Sequence, residues 1–353
     1  MQNCKKDSIL VVDDSSFILK LISKVLDDKY TVYLANCINT ALKHLEEHEP
    51  DLILLDIVMP QSGFSLCKIM QENKKWKKIP VIFLTSLSDV SVEVKGLSLG
   101  AVDFITKPFN PILLKQRIKN HLKLKNRRKK LEYMVQERTE EILKVQEAVI
   151  LAMGLLGESR DNETGAHIKR TSLYVSFLLD EYLTLYPNPL FTEDKKRLLV
   201  QSVSLHDIGK VAIADSILLK TTSLTKEEFN IMKSHTSYGG RIIKKVEEFL
   251  GPSSFLTFAY EIAMYHHEYY DGSGYFGLKK EQIPFSARMT TIADIYDALT
   301  TKRTYKEAYS HKQAVEIMCS DGDRTSYKQF DPVLFDIFRF NHYKFNEIRN
   351  SLK

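Results

Sequence analysis

Histidines accompanied by carboxylates are the residues of this chain best suited to chemistry. Five of the ten histidines lie between positions 167 and 267; His206 is followed by Asp207, and His266 and His267 are adjacent. Imidazole and carboxylate groups together bind divalent metals such as zinc, iron or manganese. The candidate ligands are five imidazoles and three carboxylates, namely Glu163, His167, His206, Asp207, His235, His266, His267 and Asp294.

The number and spacing of these residues favour a cluster of ions over one tetrahedral ion. Glu163 and His167 stand four apart and would share a helix face. Asp207 has two oxygens that can bridge two ions, and on a helix His266 and His267 would point about 100° apart. Clustered divalent ions lower the pKa of a bridging water and stabilise the negative oxygens of an in-line displacement at phosphorus. The set therefore predicts phosphodiester hydrolysis, whereas the remaining histidines lack such neighbours and are assigned structural roles.

A second group of candidate residues follows the predicted strands of the first third of the chain. The first strand ends in Asp13-Asp14, the third in Asp56 and the fourth in Thr85, and Lys107 follows the fifth. Because the carboxyl ends of parallel strands meet at one edge of a sheet, these side chains should converge. Three carboxylates suit Mg²⁺, and one of them can accept a phosphoryl group as an aspartyl phosphate. A single aspartate here would be interpreted as a helix cap, but the whole set predicts a site.

The elements that must position these residues divide the chain into two fold classes. Apolar runs alternating with amphipathic segments up to Leu124 predict five βα units, hence a doubly wound α/β domain with a parallel sheet. The strands are expected at 9–12, 30–35, 52–55, 81–84 and 102–105, and the helices at 15–27, 38–48, 63–72, 89–99 and 110–126. From Val149 onward the pattern is helical and predicts an all-α domain. Its helices are expected at 173–186, 195–205, 226–249, 255–268, 287–299 and 310–319.

A connector separates the two parts, which gives domains at 1–124 and 151–353 and a helical linker at 125–150. Apolar residues recur in the connector at alternating spacings of four and three, interrupted by Arg138, which is the pattern of a coiled-coil seam. The seam comprises Leu131, Val135, Arg138, Ile142, Val145, Val149, Ala152 and Leu156. It predicts a continuous helix that pairs with a second copy in a homodimer. The basic run at 123–130 is interpreted as a solvated helix face rather than a nucleic-acid contact.

Composition sets broad limits on class and location. The 353 residues are 44% hydrophobic and 27% charged, as in ordinary folded proteins, and the net charge of +5 is too small to indicate nucleic-acid binding. The four cysteines are far apart and suit a reducing compartment. No apolar run suits a signal peptide or a membrane span. A cytoplasmic location without membrane insertion is therefore expected.

The strand-end residues resemble the receiver domain of two-component response regulators over residues 7–124. The resemblance implies Asp56 as phosphoacceptor, Asp13 and Asp14 with the carbonyl of Val58 as further Mg²⁺ ligands, and a cognate histidine kinase as partner. It also implies a switch formed by Thr85, Phe104 and Lys107, in which Phe104 lacks the hydroxyl that could donate a hydrogen bond.

Residues 150–345 resemble the HD-GYP phosphodiesterases, which degrade cyclic di-GMP. The likeness rests on the segments 160–167, 206–210, 269–275, 288–300 and 330–332. It implies that the eight candidates are ligands of two or three ions, iron or manganese rather than zinc, and that Asp207 bridges them. It further implies catalytic roles for Asp207 and Lys210 and hydrolysis to pGpG or GMP. Substrate contacts are implied for Lys210, Tyr275, Asp297, Arg303 and Lys306.

Two departures from the family pattern bear on substrate choice. Phe276 follows Gly274-Tyr275 where the family has proline, and Thr304 follows Arg303 where the family also has proline. Losing the first proline frees one φ angle and is expected to loosen that loop. The leading hypothesis is a phosphorylation-controlled cyclic di-GMP phosphodiesterase. The alternatives are a binding or partner-recruiting module with little turnover and a hydrolase of another cyclic dinucleotide; no DNA-binding output is expected.

Overall fold

A computed structural model describes residues 6–86, 90–158, 165–302, 307–322 and 325–352. The chain forms two compact units, Met1–Thr139 and Glu140–Lys353. The predicted ligand Glu163 and the predicted substrate contacts Arg303 and Lys306 lie outside the described residues.

The first unit contains a five-stranded parallel sheet in the order β2-β1-β3-β4-β5. The strands are β1 Ser8–Val12, β2 Thr31–Ala35, β3 Leu52–Asp56, β4 Val81–Thr85 and β5 Asp103–Thr106. Strands β1, β3 and β4 are buried on both faces, which explains their continuous apolar runs. The predicted α/β architecture is confirmed.

Helices cover both faces of this sheet. They are α1 Ser16–Leu26, α2 Ile38–His48, α3 Gly63–Glu72, α4 Val90–Ser98 and α5 Pro111–Glu158. Side chains alternate along a strand, so Leu10 and Val12 pack with residues of α2 and α3, whereas Ile9 and Val11 pack with residues of α1 and α5. The strand ends that carry the candidate residues are therefore held between two apolar cores.

Helix α5 is continuous over 48 residues and contains the whole predicted connector. The large apolar residues of the predicted seam are exposed on it, with exposed fractions of 59% for Leu131, 65% for Val135, 66% for Ile142 and 59% for Val145. An apolar stripe at this spacing is typical of a helix that pairs with another helix.

The second unit is helical. Its helices are α6 Gly165–Leu185, α7 Glu193–Ser202, α8 Asp215–Leu218, α9 Lys226–Leu250, α10 Ser254–Tyr265, α11 Phe285–Thr300, α12 His311–Cys319 and α13 Pro332–Ser351. Tyr174, Tyr296 and Phe345 are fully buried at its centre, and the rings of Tyr174 and Phe345 stack with centroids 4.6 Å apart. No helix among the described residues is both long and apolar enough to cross a membrane.

This unit differs from the sequence-based prediction at α8, α10 and α13, and the short α8 was not predicted. Helix α10 ends at Tyr265, so His266 and His267 follow the helix instead of lying within it. Helix α13 was not predicted, although Asp331 caps it by accepting hydrogen bonds from the amides of Val333 and Leu334. An aspartate cap followed by proline at the first helical position is a recognised start pattern.

Candidate functional site

Four predicted ligands form the first cluster of the candidate metal centre. Ligand atoms of Asp207, His235, His266 and His267 all lie within 4.8 Å of one another. His235 lies in α9, His266 and His267 follow α10, and Asp207 follows the short 3₁₀ turn Val203–Leu205. Three separate segments therefore deliver one carboxylate and three imidazoles to one place.

A second cluster adjoins the first and comprises Glu158, His167 and His206. The Nε2 atoms of His167 and His206 are 3.4 Å apart, and His167 Nε2 lies 3.7 Å from both Glu158 Oε1 and Asp294 Oδ1. Glu158, His167 and His206 are buried. This cluster collects ligands from the end of α5, from α6 and from the residue after the 3₁₀ turn Val203–Leu205, and Asp294 of α11 lies beside it.

The carboxylate of Asp207 faces both clusters. Its Oδ1 lies 3.1 Å from His235 Nε2 and 3.6 Å from His266 Nε2. Its Oδ2 lies 3.2 Å from His206 Nε2 and 3.0 Å from Lys210 Nζ. Asp207 thus has the position of a bridging ligand, with one oxygen toward each group of imidazoles.

Main-chain hydrogen bonds fix the orientation of three of the imidazoles. The Nδ1 atoms of His206, His235 and His266 lie 2.8–2.9 Å from the carbonyl oxygens of Val203, Met232 and Ile262.

Because a carbonyl only accepts hydrogen bonds, these contacts require Nδ1 to carry the proton and leave the Nε2 lone pair for a metal. Within the described residues, Nε2 of His235 and of His266 and Oδ1 of Asp207 are buried without a hydrogen-bond partner. Buried acceptors of this kind are costly unless a cation satisfies them, so the residues present fit divalent ions.

The electrostatics of the cluster also suit cations. Burial, followed by the neighbouring His266 and His235, holds the pKa of His267 well below its ordinary value, which keeps its imidazole in the neutral, ligating form. Burial alone would raise the pKa of Asp207, but Lys210 and His206 outweigh it and hold that pKa well below the usual range. The cluster therefore presents the buried negative charge of Asp207 beside the neutral imidazole of His267.

Asp297 orients the imidazole of His167 by contacting its Nδ1 atom. The Asp297 carboxylate is fully buried, with Oδ2 2.7 Å from His167 Nδ1 and hydrogen bonds from Arg170 Nε at 2.6 Å and Nη2 at 2.7 Å. Burial would raise the pKa of Asp297, yet Arg170 and His167 lower it to about 2. Both oxygens are used inside the protein, so its position does not support the expected substrate contact. Asp297 is a positioning residue for His167.

Glu158 is a candidate ligand that the sequence analysis missed. It lies at the last residue of α5, close to the predicted ligand Glu163 in sequence. A Cβ added to Gly154 would lie 2.3 Å from the carbonyl oxygen of Ser204, so this glycine lets α5 approach the segment that carries His206. The spacing of Gly154 and Gly157 just before Glu158 was the available indication of this close approach.

The loop after His267 is held by a buried carboxylate. Glu268 is 2% exposed and accepts hydrogen bonds from the amides of Phe276 at 2.6 Å and Leu278 at 2.7 Å. A proline at position 276 would have no N–H to donate, so the expected loosening of the loop is not what the structure shows. The loop places the Tyr275 ring 4.6 Å from the ring of His267, centroid to centroid.

The strand-end residues of the first unit also converge. Carboxylate oxygens of Asp13, Asp14 and Asp56 lie within 4.8 Å of one another, and Lys107 Nζ lies 2.6 Å from Asp13 Oδ2 and 3.0 Å from Asp56 Oδ2. Burial raises the pKa of Asp56, and although Lys107 opposes this, the net shift is upward. The acidic group fits a hard cation such as Mg²⁺.

The remaining receiver residues lie around this acidic group. Thr85 is buried at the end of β4, and the Phe104 ring packs against Phe83 with centroids 5.6 Å apart. The Val58 amide lies 3.3 Å from Asp56 Oδ1.

Comparison with known proteins identifies relatives of both units. A response regulator receiver domain matches residues 9–119, and an HD domain matches residues 189–332. A probable cyclic di-GMP phosphodiesterase of Vibrio cholerae serotype O1 is 40% identical over 99% of this chain and 80% of its own length. The cyclic di-GMP phosphodiesterase response regulator RpfG of Xanthomonas campestris pv. campestris is 32% identical over 93% of this chain and 86% of its own length. The 3′3′-cGAMP-specific phosphodiesterase 2 of Vibrio cholerae is 38% identical over 55% of this chain and 34% of its own length.

Proposed function

The chain belongs to the response regulators that join a receiver domain to an HD-type cyclic di-GMP phosphodiesterase domain, and from this premise we propose that it hydrolyses cyclic di-GMP under the control of phosphorylation at Asp56. The products are linear pGpG, GMP or both. The observation that carries the proposal is the position of Asp207, whose two oxygens face two groups of buried imidazoles.

Divalent ions would be held by the first cluster through Asp207, His235, His266 and His267, and by the second through His167, His206 and Asp294. Glu158 and Glu163 are the candidates for a third ion. When bound, such ions lower the pKa of water and neutralise the charge that develops on phosphodiester oxygens. We propose iron or manganese rather than zinc, as the resemblance to the HD-GYP phosphodiesterases implies.

Residues of the chain itself would bind and orient the substrate. The Lys210 ammonium, 3.0 Å from Asp207 Oδ2, places a positive charge beside the proposed bridge, where it can attract a phosphate oxygen. Tyr275 offers an aromatic ring next to His267 on which a base can stack. Glu268 keeps that ring in place by holding the loop amides on either side of Gly277.

Product analysis tests this activity. Protein purified without oxygen and analysed for bound metal is incubated with cyclic di-GMP, with iron and manganese each supplied. We expect pGpG or GMP from the wild type, a loss of at least about 100-fold in His235→Ala, and unchanged turnover in the control His48→Ala, an exposed histidine of α2. Absence of both products with either metal contradicts the proposal, whereas nucleotide binding without turnover would favour the binding-module alternative.

Control by the receiver would begin at Asp56. A histidine kinase is the proposed phosphodonor. Mg²⁺ is the proposed cofactor and would be held by Asp13, Asp14 and Asp56. The proposed location of this reaction is the cytoplasm. Lys107 offsets part of the negative charge of the acidic group and can contact the phosphoryl oxygens. Acetyl phosphate should change the turnover of the wild type and leave Asp56→Asn unchanged. Equal responses of the two proteins would contradict this control.

A homodimer through α5 is the proposed assembly. The exposed apolar stripe on this helix needs a matching surface, and a second copy of the same stripe provides one. Sedimentation velocity should detect a dimer for the wild type and for the control Lys144→Glu, but a monomer for Ile142→Glu combined with Val149→Glu. A wild-type monomer, both with and without acetyl phosphate, would refute the dimer.

A second substrate deserves a direct comparison, because one relative is named for 3′3′-cGAMP. Initial rates with cyclic di-GMP and 3′3′-cGAMP at equal concentrations decide between them. We expect a higher kcat/KM for cyclic di-GMP, and the reverse order would assign the enzyme to the hybrid dinucleotide.

A further inference from the structure

A groove with a volume of about 1030 Å³ lies at the edge of the sheet opposite Asp56. It is lined by residues that precede strands, such as Asp51 before β3, Pro80 before β4 and Val102 before β5. Asp56 and Thr85, in contrast, end β3 and β4. The groove is therefore separate from the phosphorylation site and belongs entirely to the first unit.

Two basic walls enclose the groove. One wall is the short 3₁₀ turn Trp76–Lys78 with the preceding Lys75. The other wall is the portion of α5 that carries Lys125, Arg128 and Lys129. The basic run of the connector thus faces a second group of lysines that lies some fifty residues earlier in the sequence.

The groove carries an excess of positive charge. Its lining has six lysines and arginines against three carboxylates, Glu49, Asp51 and Glu132, which leaves a balance of +3 with His121 neutral. Lys125 pairs with Asp51 at 2.8 Å and Arg128 with Glu132 at 3.0 Å. In the part of the chain that the structure describes, no carboxylate lies within ion-pair distance of the remaining cations, Lys75, Lys77, Lys78 and Lys129.

Trp76 supplies an aromatic surface to the same groove. Its side chain is partly buried and packs against the receiver core, which fixes the ring, while it also lines the groove. A fixed aromatic ring beside several unpaired lysines recognises a ligand that combines a flat base with several phosphates. The volume is at the upper end of the range typical of small-molecule sites.

We propose that this groove binds a nucleoside polyphosphate, with the base against Trp76 and the phosphates between the two lysine walls. Because one wall is the receiver body and the other is the connector portion of α5, the bound ligand would tie the connector to the receiver. The ion pair between Lys125 of α5 and Asp51 already joins these two walls. The proposal is independent of the reaction at the metal centre.

Trp76 allows a direct test because it is the only tryptophan of the chain. GTP is titrated into the full-length protein while tryptophan emission is recorded, and equilibrium dialysis with labelled GTP provides a second measurement. We expect saturable quenching that weakens as salt increases. The double variant Lys77→Glu, Lys78→Glu should bind at least about tenfold more weakly, since it reverses two charges of one wall. The matched control Lys20→Glu, Lys24→Glu, on exposed positions of α1, should stay within about twofold of the wild type.

Fragments of GTP test the contributions of the base and of the phosphates separately. Guanosine should bind weakly without the phosphates, and tripolyphosphate should bind without shifting the tryptophan emission. Circular dichroism checks that both charge variants are folded. The absence of a saturable response to GTP would overturn the proposal. Equal weakening of GTP binding in the two charge variants would also overturn it. Equal affinity for GTP and tripolyphosphate would reject the nucleotide, and binding of oligonucleotides alone would identify a nucleic-acid surface instead.

Discussion

Replacing Phe276 by proline should weaken the loop that carries Tyr275, although the HD-GYP phosphodiesterases have proline at this position. The Phe276 amide donates to Glu268 Oε1 at 2.6 Å, and Glu268 is 2% exposed. Losing a hydrogen bond to a buried carboxylate costs about 1.5–3 kcal/mol. The reduced freedom of proline in the unfolded chain offsets only about 0.4–1 kcal/mol. The loop should therefore lose about 1–2 kcal/mol of stability against local opening.

Hydrogen–deuterium exchange of residues 268–278 measures this loss locally. A cost of about 1–2 kcal/mol corresponds to exchange that is roughly 5- to 30-fold faster in the loop. The control Phe276→Ala keeps the N–H and removes a ring that is already 46% exposed, so its loop should exchange nearly as slowly as that of the wild type. KM for cyclic di-GMP should rise in Phe276→Pro, because Tyr275 is less well placed. Slower or unchanged exchange in the proline variant would refute this reasoning, and so would equal acceleration in the alanine variant.

Further predictions concern the metal centre and the receiver. Asp297→Asn removes the charged partner of His167 and should lower metal affinity about 10- to 100-fold, as measured by competition with a chelator. The control Asp331→Asn changes a matched buried aspartate that pairs with Arg288, and it should leave metal affinity unchanged. Chelation of the bound metal should lower the thermal midpoint, since ligand at about 100 times its Kd contributes about 2.7 kcal/mol, and an unchanged midpoint would argue against a resident ion. Gly63→Ala places a Cβ 2.1 Å from the Asp56 carbonyl oxygen, so it should lower the free energy of unfolding by about 1–3 kcal/mol. It should also slow phosphorylation by acetyl phosphate, and phosphorylation at the wild-type rate would contradict this.

The receiver was largely predictable because its site follows from strand order alone. Once Asp13, Asp56 and Thr85 are assigned to the ends of parallel strands, the sheet brings them to one edge, and register errors of one or two residues do not alter this. The helical unit has no comparable rule. There the candidate ligands were found from residue type and spacing, and the helix content from apolar periodicity.

What the sequence did not predict depends on contacts between distant segments. Glu158 becomes a candidate ligand only because Gly154 lets α5 approach Ser204, and the role of Asp297 depends on the burial of Arg170 beside it. The end of α10 before His266 was missed because apolar periodicity continues through the histidines. The basic groove was also missed, since its two walls adjoin only after the sheet has formed.

The hydrogen bonds at Nδ1 distinguish His167 from the other oriented imidazoles of the two clusters. His235 and His266 are oriented by main-chain carbonyls, which no substitution of a side chain removes. His167 is oriented by the side chain of Asp297, so a single codon controls its alignment. Mutation can therefore change the alignment of His167, whereas His206, His235 and His266 keep their main-chain contacts. Selection can thus alter the orientation of one candidate ligand by a side-chain substitution, without disturbing the backbone contacts that orient three others.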